Sequence, residues 1–288
     1  RQTVDGKEVR YVDWLISGIL GMNMMFSALF GVGYVIVRYR KFGVLRRLKA
    51  TPLSAVTFLS AQIVSRLLER NGIAAGTPPA RRLLTVGSVL HLAHAGDVVW
   101  GSGRWGGGHH EPPPPHDLDV RAVRGPLTRD WLIEHGVDCP SVFGDPAQLL
   151  PMLRPDLVAL SATKRFDTTY VAHIDERMPH RRGLHSLSAR SPVEQMLRTI
   201  VQSEFVISTS LHAVIVAEAF GVPARAIVNR TEPEFKYLDH FHATGRPDIV
   251  RATSIDDALH LGAQASPVID LQPLLDAFPI DLFGHHPG

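Results

Sequence analysis

Residues 14–37 form a run of about 24 positions without a single Asp, Glu, Lys or Arg. As a helix rising about 1.5 Å per residue it would be about 36 Å long, enough to cross a hydrocarbon layer of about 30 Å. Gly18, Gly21, Gly31 and Gly33 suit close packing of helices in a membrane. Asp5, Glu8 and Asp13 precede the run, whereas Arg38, Arg40, Lys41, Arg46, Arg47 and Lys49 follow it. The positive-inside rule then puts the rest of the chain at the cytoplasmic face of the inner membrane. A secretory signal is not indicated, because the run is too long and lacks a basic leader. The competing reading is a buried helix of a globular core. A second apolar stretch, 53–64, contains Gln62 and ends near Arg66. It is too short to span and is expected to lie at the membrane interface.

The remaining residues have a different composition. Gly72, Gly76, Pro78 and Pro79 mark residues 71–80 as a linker, dividing a membrane segment (1–70) from two parts of an α/β unit (81–150 and 151–288). Within 288 residues the net charge is only +2, which gives no support for nucleic acid as a partner. The single cysteine, Cys139, excludes an internal disulfide and reads as a small buried hydrophobe.

Beyond residue 80 short apolar runs alternate with amphipathic stretches, the pattern of parallel strands with helices on both faces. Strands are predicted at 83–90, 97–101, 118–123, 142–144, 168–174, 205–208 and 225–228. Helices are predicted at 126–135, 192–204, 211–220, 255–261 and 272–278. Residues 106–116 read as a loop of glycines and prolines holding His109, His110, Glu111 and His116. Adjacent histidines on a loop lack the spacing of a metal site, and no metal or organic cofactor is expected.

The densest constellation is Ser208-Thr209-Ser210-Leu211-His212. There a strand is predicted to end and a helix to begin, at the carboxyl edge of the sheet where α/β folds bind ligands. The helix N-terminus suits an anion, and an imidazole in its first turn suits proton transfer near neutrality. The competing readings are plain helix capping by Ser208 and Ser210 and a structural histidine. Arg121, Arg124, Arg225, Arg230 and Lys236 could complete an anionic pocket, or be solvated surface charges. His173 at a strand end and Asp145 in Gly144-Asp145-Pro146-Ala147 are further candidates, Asp145 alternatively as a turn cap.

Two family resemblances follow from these residues. Residues 5–68, with Tyr39-Arg40-Lys41-Phe42-Gly43 and Thr51-Pro52-Leu53-Ser54, resemble permease subunits of ABC exporters. Residues from about 80 onward resemble the polysaccharide pyruvyl transferases. The matching stretches are Gly96-Asp97-Val98-Val99-Trp100-Gly101-Ser102-Gly103, Val120-Arg121-Ala122-Val123-Arg124-Gly125-Pro126, Gly144-Asp145-Pro146-Ala147, Ser208-Thr209-Ser210-Leu211-His212, Ala217-Glu218-Ala219-Phe220-Gly221 and Lys236-Tyr237-Leu238-Asp239.

The second resemblance implies Rossmann-like halves of the two-domain glycosyltransferase B type. It also implies ketal pyruvyl transfer from phosphoenolpyruvate to a sugar of a cell-surface polysaccharide or its lipid-linked precursor. His212 takes the acid/base role. Arg124 and Arg121, the hydroxyl triplet and Lys236 hold the donor. His173, Asp145 and Glu218 line the cleft. Two departures stand out. Many members carry Arg where this chain has Ser210. The glycine-rich first strand-loop-helix of the family is replaced by the permease-like segment, so an exposed sheet edge, an uncovered face and impaired turnover are expected. An exporter-permease fragment or an inactive fusion remains as the alternative.

Overall fold

In the computed structural model the described residues are 2–4, 7–9, 55–74, 77, 79–107, 111–173, 176, 178–188, 190–229 and 231–284. The uncharged run 14–37, its basic flank, His109, His110 and Arg230 lie outside them. Two compact units are present, residues 1–52 and 53–288. The first contains one described antiparallel pair, β1 (Gln2–Val4) with β2 (Lys7–Val9). Among the described residues no helix is long and apolar enough to cross a membrane.

The second unit opens with α1 (Ala55–Arg70). Leu59, Ile63, Leu67 and Leu68 recur at helical spacing and are buried in the main core together with Trp100, Leu150 and Ile200. This corrects the expectation that residues 53–64 lie at a membrane interface. The apolar positions form one stripe that the globular core covers, so the helix is part of the α/β unit and not of the segment before it.

The first parallel sheet has the order β3-β4-β5, from β3 (Leu83–Leu84), β4 (Val98–Ser102) and β5 (Asp119–Val123). The predicted strand 83–90 is much shorter than expected, because Gly87 takes a left-handed φ of 112° and the chain turns into a short 3-10 helix at Leu90–Leu92. Side chains alternate along β4: Val98 and Trp100 join the main core, whereas Val99 joins a second cluster with Leu84, Val120, Trp131 and Leu132. Both faces of the sheet are therefore covered, which corrects the expected bare face. β3 pairs on one side only among the described residues.

Next come α2 (Pro126–Glu134), with Pro at its first turn, a 3-10 turn at Pro146–Leu149, and the short helices α3 (Leu150–Leu153) and α4 (Pro155–Ser161). Residues 142–144 supply only an isolated bridge, Val123 to Phe143.

The second parallel sheet has the order β7-β6-β8-β9, from β6 (Phe166–Ala172), β7 (His185–Ser188), β8 (Ser203–Ser208) and β9 (Ala224–Ala226). Helices α5 (Val193–Val201) and α6 (Leu211–Ala219) flank β8 in sequence. Helix α6 is apolar all round and is correspondingly central: Leu211 and residues 213–217 are buried. The chain continues through α7 (Phe235–Ala243), α8 (Ile255–Leu261) and α9 (Gln272–Asp276). It then returns to the first sheet, where Trp100 donates from Nε1 to the Leu274 carbonyl at 2.8 Å and its ring meets Phe278 edge-on. Two parallel sheets with helices between their strands fit a Rossmann-like α/β arrangement.

Candidate active site

The second sheet ends in a built turn. Ser208 is fully buried on β8. Its Oγ donates to the Val171 carbonyl of β6 at 2.7 Å and accepts the Ser210 N–H at 2.9 Å. Ser208 therefore fixes the strand-to-helix turn and does not face a ligand. Ser210 is the N-cap of α6, yet its side chain makes no capping bond. Tyr237 of α7 clamps the same turn by donating to the Thr209 carbonyl at 2.5 Å. Thr209 donates from Oγ1 to Glu176 and accepts the His173 N–H at 3.0 Å.

His212 follows in the first turn of α6. Its neighbours Leu211 and Ala213 are buried, whereas its own side chain is 21% exposed. The ring's Nε2 is buried and faces Asp145 Oδ2 at 3.3 Å. The two atoms do not meet hydrogen-bond geometry and neither has another hydrogen-bond partner, so the contact becomes an ion pair only when the imidazole is protonated. Among the described residues the second ring nitrogen makes no hydrogen bond.

Asp145 is wholly buried. Its other oxygen caps the 3-10 turn, accepting the Ala147 N–H at 3.0 Å, while its own N–H donates to Gln148 at 2.9 Å. Burial alone would raise its pKa. His212, the Ala147 N–H and Arg124 outweigh burial and hold the carboxyl below the usual carboxylate range. The turn-cap reading and the site reading of Asp145 are thus both realised, one on each oxygen. Gly101 allows this approach: it has φ +79°, and a Cβ there would lie 2.3 Å from Pro146 Cδ.

A second ionic cluster lies at the start of α7. Glu232 faces His173 Nε2 at 3.2 Å and accepts from Lys236 Nζ. Burial would raise the Glu232 carboxyl, but His173 and Lys236 overcome it and bring its pKa to about 2. Burial lowers the Lys236 ammonium, which Glu232 partly offsets. Glu232 was missed in the sequence because nothing in Thr231-Glu232-Pro233 suggests that it closes between a histidine and a lysine from different elements.

Other predicted residues serve the framework. Arg124 is 0% exposed: its Nε donates to Asp239 at 3.0 Å, one amino group donates to the Arg104 carbonyl at 2.8 Å, and the other to Ser88. It is not presented as a direct anion binder, although its charge favours the ionised form of Asp145 and disfavours that of Lys236. Arg121 sits on β5 and binds Asp119 and Asp281. It ties the strand to the returning C-terminal segment rather than to the ligand edge. Glu218, expected in the cleft, forms a buried bridge with Arg246 at 2.6 Å and accepts from Gln264 at 2.7 Å. Arg225 donates to the carbonyls of Val250, Leu261, Gly262 and Ala263, closing the end of α8.

The loop at 103–107 is folded back by Glu111, which accepts from Arg104 Nε at 2.9 Å and from the N–H groups of Trp105 and Gly106. That carboxylate is therefore committed to the loop. Arg104 also stacks over Trp131 and Phe235. Among the described residues no cluster of three or more metal-ligating side chains occurs.

Comparison with known proteins gives three findings. Residues 115–231 match the family model of polysaccharide pyruvyl transferase, a stretch that contains Asp145, His173 and His212. Succinoglycan biosynthesis protein ExoV of Rhizobium meliloti is 29% identical over 201 residues, covering 65% of this chain and 62% of that protein. This chain thus spans less than two thirds of the length of that relative. The crystal structure of a functionally uncharacterized protein from Klebsiella pneumoniae aligns with 70% of this chain and 92% of its own, at a TM-score of 0.42 and 15% identity. The chain is thus similar over residues 115–231 to the polysaccharide pyruvyl transferases, and over 201 residues to ExoV.

Proposed function

We propose that this chain transfers a pyruvyl group from phosphoenolpyruvate to two hydroxyls of a sugar in an exopolysaccharide or its lipid-linked precursor, forming a ketal. The observation that carries this reading is the pairing of His212 with buried Asp145 at 3.3 Å, at the N-terminus of α6 and inside the stretch that matches the family. The acceptor class is further supported by the relative named for succinoglycan biosynthesis.

The chemistry needs a proton at the methylene carbon of the donor. With Asp145 beside Nε2, the other nitrogen of His212 can deliver that proton. The donor's central carbon becomes cationic and a sugar hydroxyl adds to it. That hydroxyl's proton returns to His212. Phosphate then leaves, and the second hydroxyl closes the ketal, its proton passing to the departing phosphate. The net change is a diol plus phosphoenolpyruvate giving a ketal plus phosphate, with no net change of oxidation state. The donor's phosphate and carboxylate would be held by the N–H groups that open α6, by the Ser210 hydroxyl and by Lys236.

The uncharged run 14–37 with its basic flank would keep the enzyme unit at the cytoplasmic face of the inner membrane, beside a lipid-linked acceptor. The test of function is ketal formation: the full chain, phosphoenolpyruvate and an oligosaccharide acceptor should give inorganic phosphate and a pyruvylated sugar. Absence of both products under saturating donor would defeat the reading.

A further inference from the structure

Tyr237 is fully buried, and its hydroxyl donates to the Thr209 carbonyl at 2.5 Å. That carbonyl stands directly before Ser210, the N-cap of α6. Whatever holds the Tyr237 ring therefore bears on where His212 starts its turn. Two cations lie against the ring. Lys236 Nζ is 5.4 Å from its centroid, and the Arg251 guanidinium is 4.5 Å from it. Lys236 is bound to Glu232. Arg251 comes from another part of the chain, between β9 and α8.

The backbone that carries Arg251 is pinned to the second sheet. Its neighbour Ala252 bridges Ile227, donating to the Ala226 carbonyl of β9 at 2.9 Å and accepting the Val228 N–H at 2.7 Å. The Arg251 side chain is 7% exposed. Its Nη2 donates to Glu234 Oε1 at 2.7 Å. The Glu234 side chain is 64% exposed, so water screens that pair and the carboxylate cancels little of the guanidinium's field. Nη1 is buried without a hydrogen-bond partner among the described residues, and it has no surface to offer a ligand. A buried cation with one screened partner is costly unless a further group stabilises it. The face of the Tyr237 ring supplies that stabilisation.

The attraction acts on the tyrosine as well. A cation over the ring draws electron density from the phenol and makes its hydroxyl a stronger donor. Burial pushes the Tyr237 phenol up, and Arg251 opposes that rise. The Thr209 carbonyl receives this donor. A line of contacts thus runs from the β9 edge, through Arg251 and Tyr237, to the turn that opens α6.

We propose that Arg251 is a positioning residue for His212: by lying over the Tyr237 ring it sets the hydroxyl that fixes the Thr209 carbonyl and the first turn of α6. The role rests on the transferase reading above. It adds to that site a residue that acts through Tyr237 and not on the donor.

The test compares three variants of the full chain in the phosphoenolpyruvate and oligosaccharide assay. Arg251→Met removes the charge, Arg251→Lys returns a cation, and Tyr237→Phe keeps the ring but removes the hydroxyl. Arg251→Met and Tyr237→Phe should each lower kcat about tenfold, since a misplacement of about 1 Å can cost about 10²-fold. Arg251→Lys should recover most of the rate. The double variant with Arg251→Met and Tyr237→Phe should be no slower than Tyr237→Phe alone, because both changes act through one hydroxyl. In chain carrying 13C-labelled histidine, the His212 ring signal, identified by its loss in His212→Gln, should move in Arg251→Met and return in Arg251→Lys. Melting curves establish that the variants are folded. If Arg251→Met is not, Arg251→Gln, uncharged and still polar towards Glu234, takes its place. The proposal is overturned if the folded uncharged variant keeps both kcat and the His212 signal, if Arg251→Lys recovers nothing, or if the double variant shows the product of the two single losses. A raised phosphoenolpyruvate KM with kcat unchanged would also overturn it, by placing Arg251 at the donor. An unaltered chain without turnover would strike the functional reading, and the His212 signal would still decide whether Arg251 positions that ring.

Discussion

Arg124 and Asp239 meet at 3.0 Å with both side chains fully buried, although they lie 115 residues apart. The carboxylate also accepts the Thr128 N–H at 2.9 Å and its hydroxyl at 2.6 Å. It therefore caps the start of α2 from α7 and fixes the first sheet against the helix that carries Lys236 and Tyr237. Removing one member of a buried pair leaves an uncompensated charge, which typically costs about 3–5 kcal/mol. Asp239→Ala should lower unfolding stability by about that much in urea titration. The double variant with Arg124→Met should recover part of the loss, because the orphaned charge is gone. A loss below about 1 kcal/mol would show that water reaches Arg124.

The role of Arg124 is an instance of what sequence could and could not show. The Arg-Gly-Pro motif identified a residue that matters, and the geometry assigns it to the framework. The cause is chain-remote: Asp239 and Ser88 are invisible as partners from Val123-Arg124-Gly125. His212 and Asp145 were both legible as candidates, because a histidine after a hydroxyl triplet and an Asp-Pro turn each have local signatures. Their pairing was not, since it depends on α6 packing beside the 3-10 turn. Short apolar runs revealed β4, β5, β6, β8 and β9. The pattern missed β7, whose four residues include His185 and two serines, and α7, whose charged and aromatic mixture hides its buried face. The apolar stripe of α1 has the same composition as an interfacial helix, and only its packing distinguishes the two.

Glu218 should behave as a structural acid. Burial opposes its charge, yet Arg246 and His240 lower its pKa from 4.5 to about 2. A depressed folded pKa contributes stability above the unfolded value and loses it as pH falls through the folded one. The contribution, about 3 kcal/mol, should therefore be complete above about pH 4.5 and disappear towards pH 2. Urea midpoints of the unaltered chain should fall across that window and those of Glu218→Gln should fall less. Equal slopes would exclude this assignment. Turnover at neutral pH should survive in folded Glu218→Gln.

Gly101 holds the Asp145 turn close to β4. Gly101→Ala introduces a Cβ 2.3 Å from Pro146 Cδ at a residue with φ +79°. The strain and overlap should cost about 2 kcal/mol or more, read as a lowered melting temperature. Turnover per folded molecule should also fall, because Asp145 moves with Pro146. Normal melting and turnover would mean that the turn relaxes without disturbing His212.

Ser210 caps α6 without a capping bond. Ser210→Arg adds a bidentate cation at the proposed anion site. A charge-assisted hydrogen bond of about 1.5–3 kcal/mol should tighten phosphoenolpyruvate about tenfold or more in calorimetric titration. Unchanged affinity would place the donor elsewhere.

The central claim is that His212, held by Asp145, moves the proton in pyruvyl transfer. It is tested most directly by following phosphoenolpyruvate and phosphate with 31P NMR in the presence of an oligosaccharide acceptor. The full chain should release phosphate only when acceptor is present. His212→Ala should reduce the rate by about 10²–10⁴, the usual worth of a positioned acid/base. Asp145→Asn should lower the rate and shift its pH profile while leaving donor affinity intact. Phosphate release that is equal in His212→Ala, or none in the unaltered chain at saturating donor and acceptor, would contradict the account.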